Sequence, residues 1–282
     1  MESLTDKLAV VTGGGSGMGR ELVIQLVAAG ASVATCDVNA DALAHTRERA
    51  AEAGPGPVSV HECNVAERAQ VERFRDEVTR DHGRAHVHLL FNNAGIGGGG
   101  SFVNDDRDVW ERTFAVCWGG VYNTMRAFLP LLVAAPEAVI VNTSSVNGFW
   151  ASLGPDVPHT AYSAAKFAVK GLTEALQVDL RVNAPHVRAV LVMPGHVGTD
   201  IVTNSARAHG NSVDDPMVKG FADYFRDHAP VSAAQAATVM LDAVRDGEWR
   251  VLIGDDAHRL DERVRLDPHS VYQPGGVTLP MV

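Results

Sequence analysis

Tyr162 and Lys166 stand four residues apart in Tyr162-Ser163-Ala164-Ala165-Lys166, at the head of an amphipathic stretch. On a helix that spacing puts both side chains on one face. An ammonium beside a phenol favours the phenolate and lowers its pKa, which makes a tyrosine usable as an acid/base near neutral pH. The same pair also arises by chance as exposed helical neighbours. Ser144-Ser145, closing a preceding apolar run, could supply a hydroxyl that orients a substrate oxygen.

A second constellation lies near the N-terminus. Leu8-Ala9-Val10-Val11-Thr12 runs into Gly13-Gly14-Gly15-Ser16-Gly17-Met18-Gly19, where a helix opens. Glycines let a backbone approach a pyrophosphate closely, and a helix N-terminus offers unpaired N–H groups and the positive end of its dipole. The spelling G-x-G-x-x-G fits no frame here, and a plain tight turn is the alternative. Asp37 ends the next apolar run, 37 − 13 = 24 residues beyond the first glycine. A carboxylate there can bind both ribose hydroxyls and would repel a 2′-phosphate, with no Lys or Arg in Val38-Asn39-Ala40 to offset it. The expectation is NAD rather than NADP; the alternative is that Asp37 only caps the following helix.

These residues need a scaffold. Apolar, β-branched runs at Leu8–Thr12, Ser32–Asp37, Val58–Cys63, Val87–Asn92, Ala138–Ser144, Val187–Met193 and Arg250–Ile253 alternate with helical patterns, the first from Met18 to Ala29. Continuous apolar strands between helices predict an α/β fold: one doubly wound parallel sheet of about seven strands, helices on both faces, in a single domain over 1–282. Residues 146–161 form a long loop. Residues 199–230 are polar with an aromatic patch (Phe221, Tyr224, Phe225) and read as a mobile substrate-side insert. Residues 267–282, with Pro268, Pro274 and Pro280, read as an extended arm.

Composition excludes several classes. The chain has 282 residues, 24 Lys and Arg against 34 Asp and Glu, and a formal charge of −10. A polyanion groove wants the opposite balance, so nucleic acid is not an expected partner. No apolar run reaches the roughly 18 residues of a membrane span, and the acidic N-terminus lacks the basic segment of a signal peptide. Cys36, Cys63 and Cys117 are odd in number with no CxxC pair, as in reduced cytosolic thiols. A cytoplasmic protein is expected. His86-x-His88 has no supporting ligand cluster, so no metal is expected, and Gly97-Gly98-Gly99-Gly100 lacks the Lys-Ser/Thr of a phosphate loop and reads as a flexible loop beside the pocket.

Thr12-Gly13-(x)3-Gly17-x-Gly19, Asn92-Asn93-Ala94-Gly95, Ser145, Tyr162-x-x-x-Lys166 and Pro194-Gly195 together resemble, in order and spacing, the short-chain dehydrogenase/reductase family, over about Lys7 to Ile253. The resemblance implies a Rossmann-like sheet, a homodimer or homotetramer, and hydride transfer between a nicotinamide and an alcohol or ketone. It implies Tyr162 as acid/base, Lys166 as the group that binds the nicotinamide ribose and lowers the tyrosine pKa, and Ser145 as holder of the substrate carbonyl. Gly13, Gly15, Ser16, Gly17, Met18, Gly19, Asp37, Asn64, Val65, Asn93, Ala94, Gly95, Pro194, Gly195, Val197 and Thr199 would hold the cofactor. Ile96, Ser145, Asn147, Phe149, Trp150 and His196 are expected in the substrate pocket, whose aromatic residues suggest a fairly apolar alcohol or ketone.

Three departures from the family pattern stand out. The Ser145–Tyr162 gap of 162 − 145 = 17 residues is longer than usual. Asn64 replaces an acid after the third strand, although an amide can still meet adenine. In Val116-Cys117-Trp118-Gly119-Gly120-Val121, Cys117 stands where the family has a helical asparagine. That substitution keeps a second function class open, a non-catalytic NAD-binding sensor or scaffold.

Overall fold

The computed structural model describes residues 1–277. β1 (Leu8–Thr12) is buried along its whole length, as a strand covered on both faces must be. It is followed by α1 (Gly17–Ala28), β2 (Ser32–Asp37), α2 (Ala40–Ala53), β3 (Val58–Glu62), α3 (Arg68–His82) and β4 (Leu89–Asn92). α4 (Arg107–Phe114) passes through a π-helical turn (Ala115–Gly119) into α5 (Gly120–Val133). β5 (Ala138–Thr143) leads through a 3-10 turn (Val146–Gly148) and a short hairpin, β6 (Ser152–Gly154) and β7 (Val157–Pro158), to the long α6 (Thr160–Asn183). β8 (Val187–Pro194), β9 (Val197–Gly198), α7 (Ile201–Ala208), α8 (Pro216–Asp227), β10 (Val231–Ser232), α9 (Ala233–Asp246), β11 (Arg250–Ile253) and α10 (Asp255–Leu266) complete the chain up to a last 3-10 turn (Ser270–Tyr272).

The main sheet has seven strands in the order β11-β8-β5-β4-β1-β2-β3, all parallel. Successive side chains of a strand face opposite ways, and the two cores follow that alternation. Ala9, Val11, Val33, Phe91, Val141 and Val192 pack against Leu22 and Leu26 of α1 and Met240 and Leu241 of α9. Leu8, Val10, Ala34, Leu90 and Ile140 face the other way, onto Phe74 of α3, Phe128 of α5 and Val169 of α6. The result is one Rossmann-like α/β domain. Its chain order reverses between β1 and β4, and there a crevice opens past the strand C-termini.

The stretch read as a mobile insert forms α7 and α8, joined to the body by the β9–β10 pair. The long loop is the β6–β7 hairpin. The arm folds back instead of extending freely: Val271 is fully buried and the Tyr272 hydroxyl accepts a hydrogen bond from the Ala151 N–H at 3.0 Å. Residues 278–282, including Pro280, lie outside the described residues.

Candidate active site

The glycine turn is shaped by what it must approach. Gly13 has φ +71°, and a Cβ on it would lie 2.9 Å from the Ala94 backbone. A Cβ on Gly19 would fall 2.0 Å from the Gly13 carbonyl, so glycine there lets α1 close against β1. Thr12 Oγ1 accepts from the Asn93 and Ala94 N–H groups at 3.0 and 3.1 Å, locking the two strand ends that frame the crevice.

Asp37 sits at the mouth of the crevice, taking N–H groups from Gly15 at 3.0 Å and Asn39 at 3.1 Å. Burial raises its pKa, while those backbone donors and Arg20 pull it back down. A carboxylate has lone pairs to spare after two such bonds, so it can still accept from ribose hydroxyls. Arg20 is the nearby cation that the 38–40 segment lacks. Its guanidinium is spent on Thr46 Oγ1 and the Gly15 carbonyl beneath the turn.

A cavity of about 690 Å³ runs through the crevice. It brings together Gly13, Ser16, Gly17, Met18, Asp37, Asn64, Val65, Asn93, Ala94, Gly95, Ile96 and Thr199, residues drawn from four strand ends and the segment after β8. A cleft with a tight glycine turn, a carboxylate at its mouth and the buried, unpartnered Asn93 Oδ1 on its wall fits a dinucleotide. Gly15 and Gly19 shape the turn itself. Pro194, Gly195 and Val197 are not among the residues that line the cavity. The Gly195 N–H reaches the Ile253 carbonyl at 2.9 Å, and a Cβ on Gly195 would come within 2.3 Å of the Asp256 carboxylate.

Beside the cleft, α6 carries Tyr162 and Lys166, and Ser145 follows the end of β5. Lys166 is buried; its Nζ donates to the Thr143 carbonyl at 2.8 Å and lies 5.3 Å from the Tyr162 ring centre. Ser144 Oγ donates to the Lys166 carbonyl at 2.8 Å, tying the end of β5 to α6. Deeper down, Asn92 Nδ2 donates to Asn142 Oδ1 at 2.8 Å and Asn142 Nδ2 to Thr173 Oγ1 at 3.0 Å, fixing β4, β5 and α6 together. Ser145 Oγ accepts from the Asn147 N–H at 3.1 Å, which leaves its own proton to give.

The electrostatics differ from the expectation for an isolated Tyr–Lys pair. Burial pushes the Tyr162 phenol up and the Lys166 ammonium down, and only the Ser145 hydroxyl draws the phenol back. With Lys166 Nζ turned to Thr143, desolvation outweighs any help the ammonium gives the phenolate.

Cys117 lies in the π-helical turn, fully buried, its thiol donating to the Ile96 carbonyl at 3.1 Å. A Cβ on Gly95 would stand 3.6 Å from both Cys117 Sγ and Lys166 Nζ. Burial raises the thiol pKa, against the lowering effect of Lys166.

Three residues expected in the substrate pocket are placed otherwise. Trp150 is 0% exposed, packed with Val146, Ala257, Leu260 and Val271, because α10 and the returning arm cover it. Asn147 is a brace: its Nδ2 donates to the Trp150 and Ser152 carbonyls at 2.9 and 2.7 Å. His196 is buried, its N–H bonded to Asp256 at 2.7 Å and its Nε2 to the Phe225 carbonyl at 2.6 Å, linking the segment after β8 to α8. Phe149 packs at the edge of the same cluster. His159, from the long loop that precedes α6 and is expected to shape the pocket, has its ring centre 4.8 Å from that of Tyr162; burial lowers its pKa to about 4, so it stands neutral beside the phenol. Asn204 is a contributor that the sequence motifs do not name: its Nδ2 donates to Ser16 Oγ at 2.9 Å, bridging α7 to the glycine turn. The spacing of Ile201, Asn204 and Ala208, which share one helical face, was the available signal.

Among the described residues no helix is long and apolar enough to cross a membrane, and no group of three His, Cys, Asp or Glu could hold a metal ion. His88 Nδ1 is occupied as an acceptor for the Leu8 N–H at 3.1 Å.

Comparison with known proteins agrees with this geometry. Residues 7–210 match the family model for short chain dehydrogenases. The chain is 38% identical over 267 residues to SadH of Mycobacterium tuberculosis H37Rv, named as an oxidoreductase, covering 94% of this chain and 92% of that one. It is 34% identical over 239 residues to 3beta-hydroxysteroid dehydrogenase 2 of Eggerthella lenta, covering 84% and 88%. A short chain dehydrogenase/reductase from Burkholderia phymatum, solved in complex with NAD, superposes with a TM-score of 0.85 at 29% identity over 99% of both chains. A metagenomic short-chain oxidoreductase solved with NADP gives 0.61 at 31% identity, over 68% of this chain and 84% of that one. With the crevice, the glycine turn and the Ser145–Tyr162–Lys166 set assembled on one sheet, the chain belongs to the short-chain dehydrogenase/reductase family of oxidoreductases.

Proposed function

We propose that the protein is an NAD-dependent dehydrogenase/reductase that interconverts a fairly apolar secondary alcohol and its ketone, with Tyr162 as the acid/base. The observation that carries this reading is the convergence of Ser145, Tyr162 and Lys166, from separate parts of the chain, beside the crevice that holds Gly95 and Thr199. A bound nicotinamide supplies the acceptor or donor for the hydride. Ser145, whose oxygen already accepts from Asn147, donates its proton to the substrate oxygen and orients it. In the oxidative direction the Tyr162 phenolate takes the alcohol proton; in the reductive direction the phenol returns it. Lys166 fixes this corner of the site through Thr143 and offers its remaining N–H groups to the ribose.

Asp37 supports NAD over NADP, because a 2′-phosphate would bring negative charge against a carboxylate already partly desolvated. His159 stands neutral beside Tyr162 and Ile96 lines the adjoining crevice, in keeping with an apolar substrate. The steroid activity named for the Eggerthella lenta relative is of that class. A homodimer or homotetramer is the assembly the family suggests. Cys117 and the raised Tyr162 favour the second reading, a non-catalytic cofactor-binding sensor.

The test is turnover of a panel of secondary alcohols with NAD and with NADP, with cofactor affinities measured in parallel. The proposal expects oxidation of at least one apolar alcohol and NAD bound at least about tenfold more tightly than NADP, or 1.4 kcal/mol. NAD binding without turnover of any alcohol or ketone would favour the sensor, and equal cofactor affinities would remove Asp37 from the ribose.

A further inference from the structure

The glycine turn is poorly provided for the charge it is to hold. The Gly13 and Gly14 N–H groups are spent on the Cys36 carbonyl at 2.8 and 3.1 Å, and the Gly15 N–H is spent on Asp37 at 3.0 Å. The turn contains no lysine, and the guanidinium of Arg20 is committed to Thr46 and Gly15 on its far side. What remains for a dianionic pyrophosphate is the first turn of α1, whose free N–H groups supply partial charge only. The cavity meanwhile carries the carboxylates of Asp37, Glu67 and Glu111.

Full positive charge reaches the cavity from the opposite lip, as Arg112 and Arg207. Arg112 spends Nη1 on the Ala208 carbonyl at 2.7 Å, pinning the C-terminal end of α7. Arg207 is exposed, forms no ion pair among the described residues, and makes one hydrogen bond, from Nη1 to Asn204 Oδ1 at 3.2 Å. Asn204 in turn donates to Ser16 Oγ at 2.9 Å. The guanidinium is thus one side chain removed from the glycine turn, held by a long neutral contact that a phosphate oxygen would readily displace, since charge-assisted bonds to planar guanidinium are the stronger kind.

We propose that α7 is a lid over the pyrophosphate and that Arg207 is its phosphate clamp, supplying the counter-charge the glycine turn lacks. The clamp rests on the dinucleotide reading above and adds a residue to it. The ligand chemistry is the pyrophosphate, and neither the adenine nor a 2′-phosphate.

The experiment titrates the full chain and its Arg207→Ala and Arg207→Lys variants with NAD and ADP by calorimetry, and with adenosine by competition against NAD. Arg207 is exposed, so the fold should survive both changes. Arg207→Ala should weaken ADP and NAD by roughly tenfold, as expected for loss of one charge-assisted contact. Adenosine affinity should stay unchanged, and Arg207→Lys should recover part of the loss because it restores the charge without the planar fork. The ADP deficit should also shrink as salt is raised. Equal ADP affinity in the wild type and Arg207→Ala would overturn the clamp. So would an equal loss for adenosine and ADP, which would assign Arg207 to the nucleoside. Failure of the unaltered chain to bind NAD or ADP would overturn the dinucleotide reading itself, and the clamp with it.

Discussion

At the position where the family has an asparagine, Cys117 shows how a residue can keep a backbone feature and lose a side-chain function. The π-helical turn is present with cysteine, and the thiol satisfies the Ile96 carbonyl at 3.1 Å. That contact uses the single S–H proton, so the sulfur has no donor left for a water or for the substrate. Desolvation raises the thiol pKa more strongly than Lys166 lowers it, so the nucleophilic thiolate is disfavoured. Cys117 is therefore a packing group. Cys117→Ser should leave kcat within about tenfold of the unaltered protein, or 1.4 kcal/mol of barrier, with NAD affinity the same. A loss of kcat beyond about a hundredfold, cofactor binding intact, would show that the sulfur takes part in the chemistry.

Elements were legible in proportion to how strongly burial constrained them. The main-sheet strands announce themselves as continuous apolar runs, because a strand covered on both faces has no polar side to alternate with. The glycine turn and the Tyr–Lys helix were legible because their geometry admits few residue types. The segments after Ser145 and after Thr199 were not. Trp150 looked like a pocket wall because an aromatic in a long loop carries no periodic signal of which way it faces; its partners, Leu260 and Val271, lie more than a hundred residues away in sequence. His196 misled for the same reason: its role is set by Asp256 and Phe225, which only the fold brings to it. The polar 199–230 stretch was readable as an insert but not as two helices, because the contacts that order it, such as Asn204 to Ser16 and Phe225 to His196, join residues that only the fold brings together. Ser205 Oγ accepts from the Gly97 N–H at 2.7 Å and His209 Nε2 bonds the Gly97 carbonyl at 2.8 Å. The tetraglycine loop is thus the strap between lid helix and body, a use its composition alone did not suggest.

For the molecule as a whole, histidines set the response to acid. Burial is the leading cause of lowered pKa at His82, His88, His159 and His196, reaching about 4 at His88 and His159. Each binds its proton less readily when folded than at the unfolded value of 6.5. Between that value and about 4 the unfolded chain holds more protons, so stability is full above pH 6.5 and falls as pH drops through the window. The urea midpoint should accordingly decrease from pH 7 to pH 5. The drop should be smaller in His88→Asn, which keeps an acceptor for the Leu8 N–H and removes the titrating ring. A midpoint that stays level or rises over that range would contradict the assignment. The central claim, that sheet, crevice and catalytic helix together form a dehydrogenase working through one phenol, meets its most direct test in Tyr162→Phe. The variant keeps the ring and loses the hydroxyl, and with it the transferable proton and the contact to Ser145. The account predicts NAD affinity equal to that of the unaltered protein, with turnover of an accepted secondary alcohol lower by roughly 10²–10⁴. Unchanged turnover in Tyr162→Phe, with NAD bound as before, would contradict it.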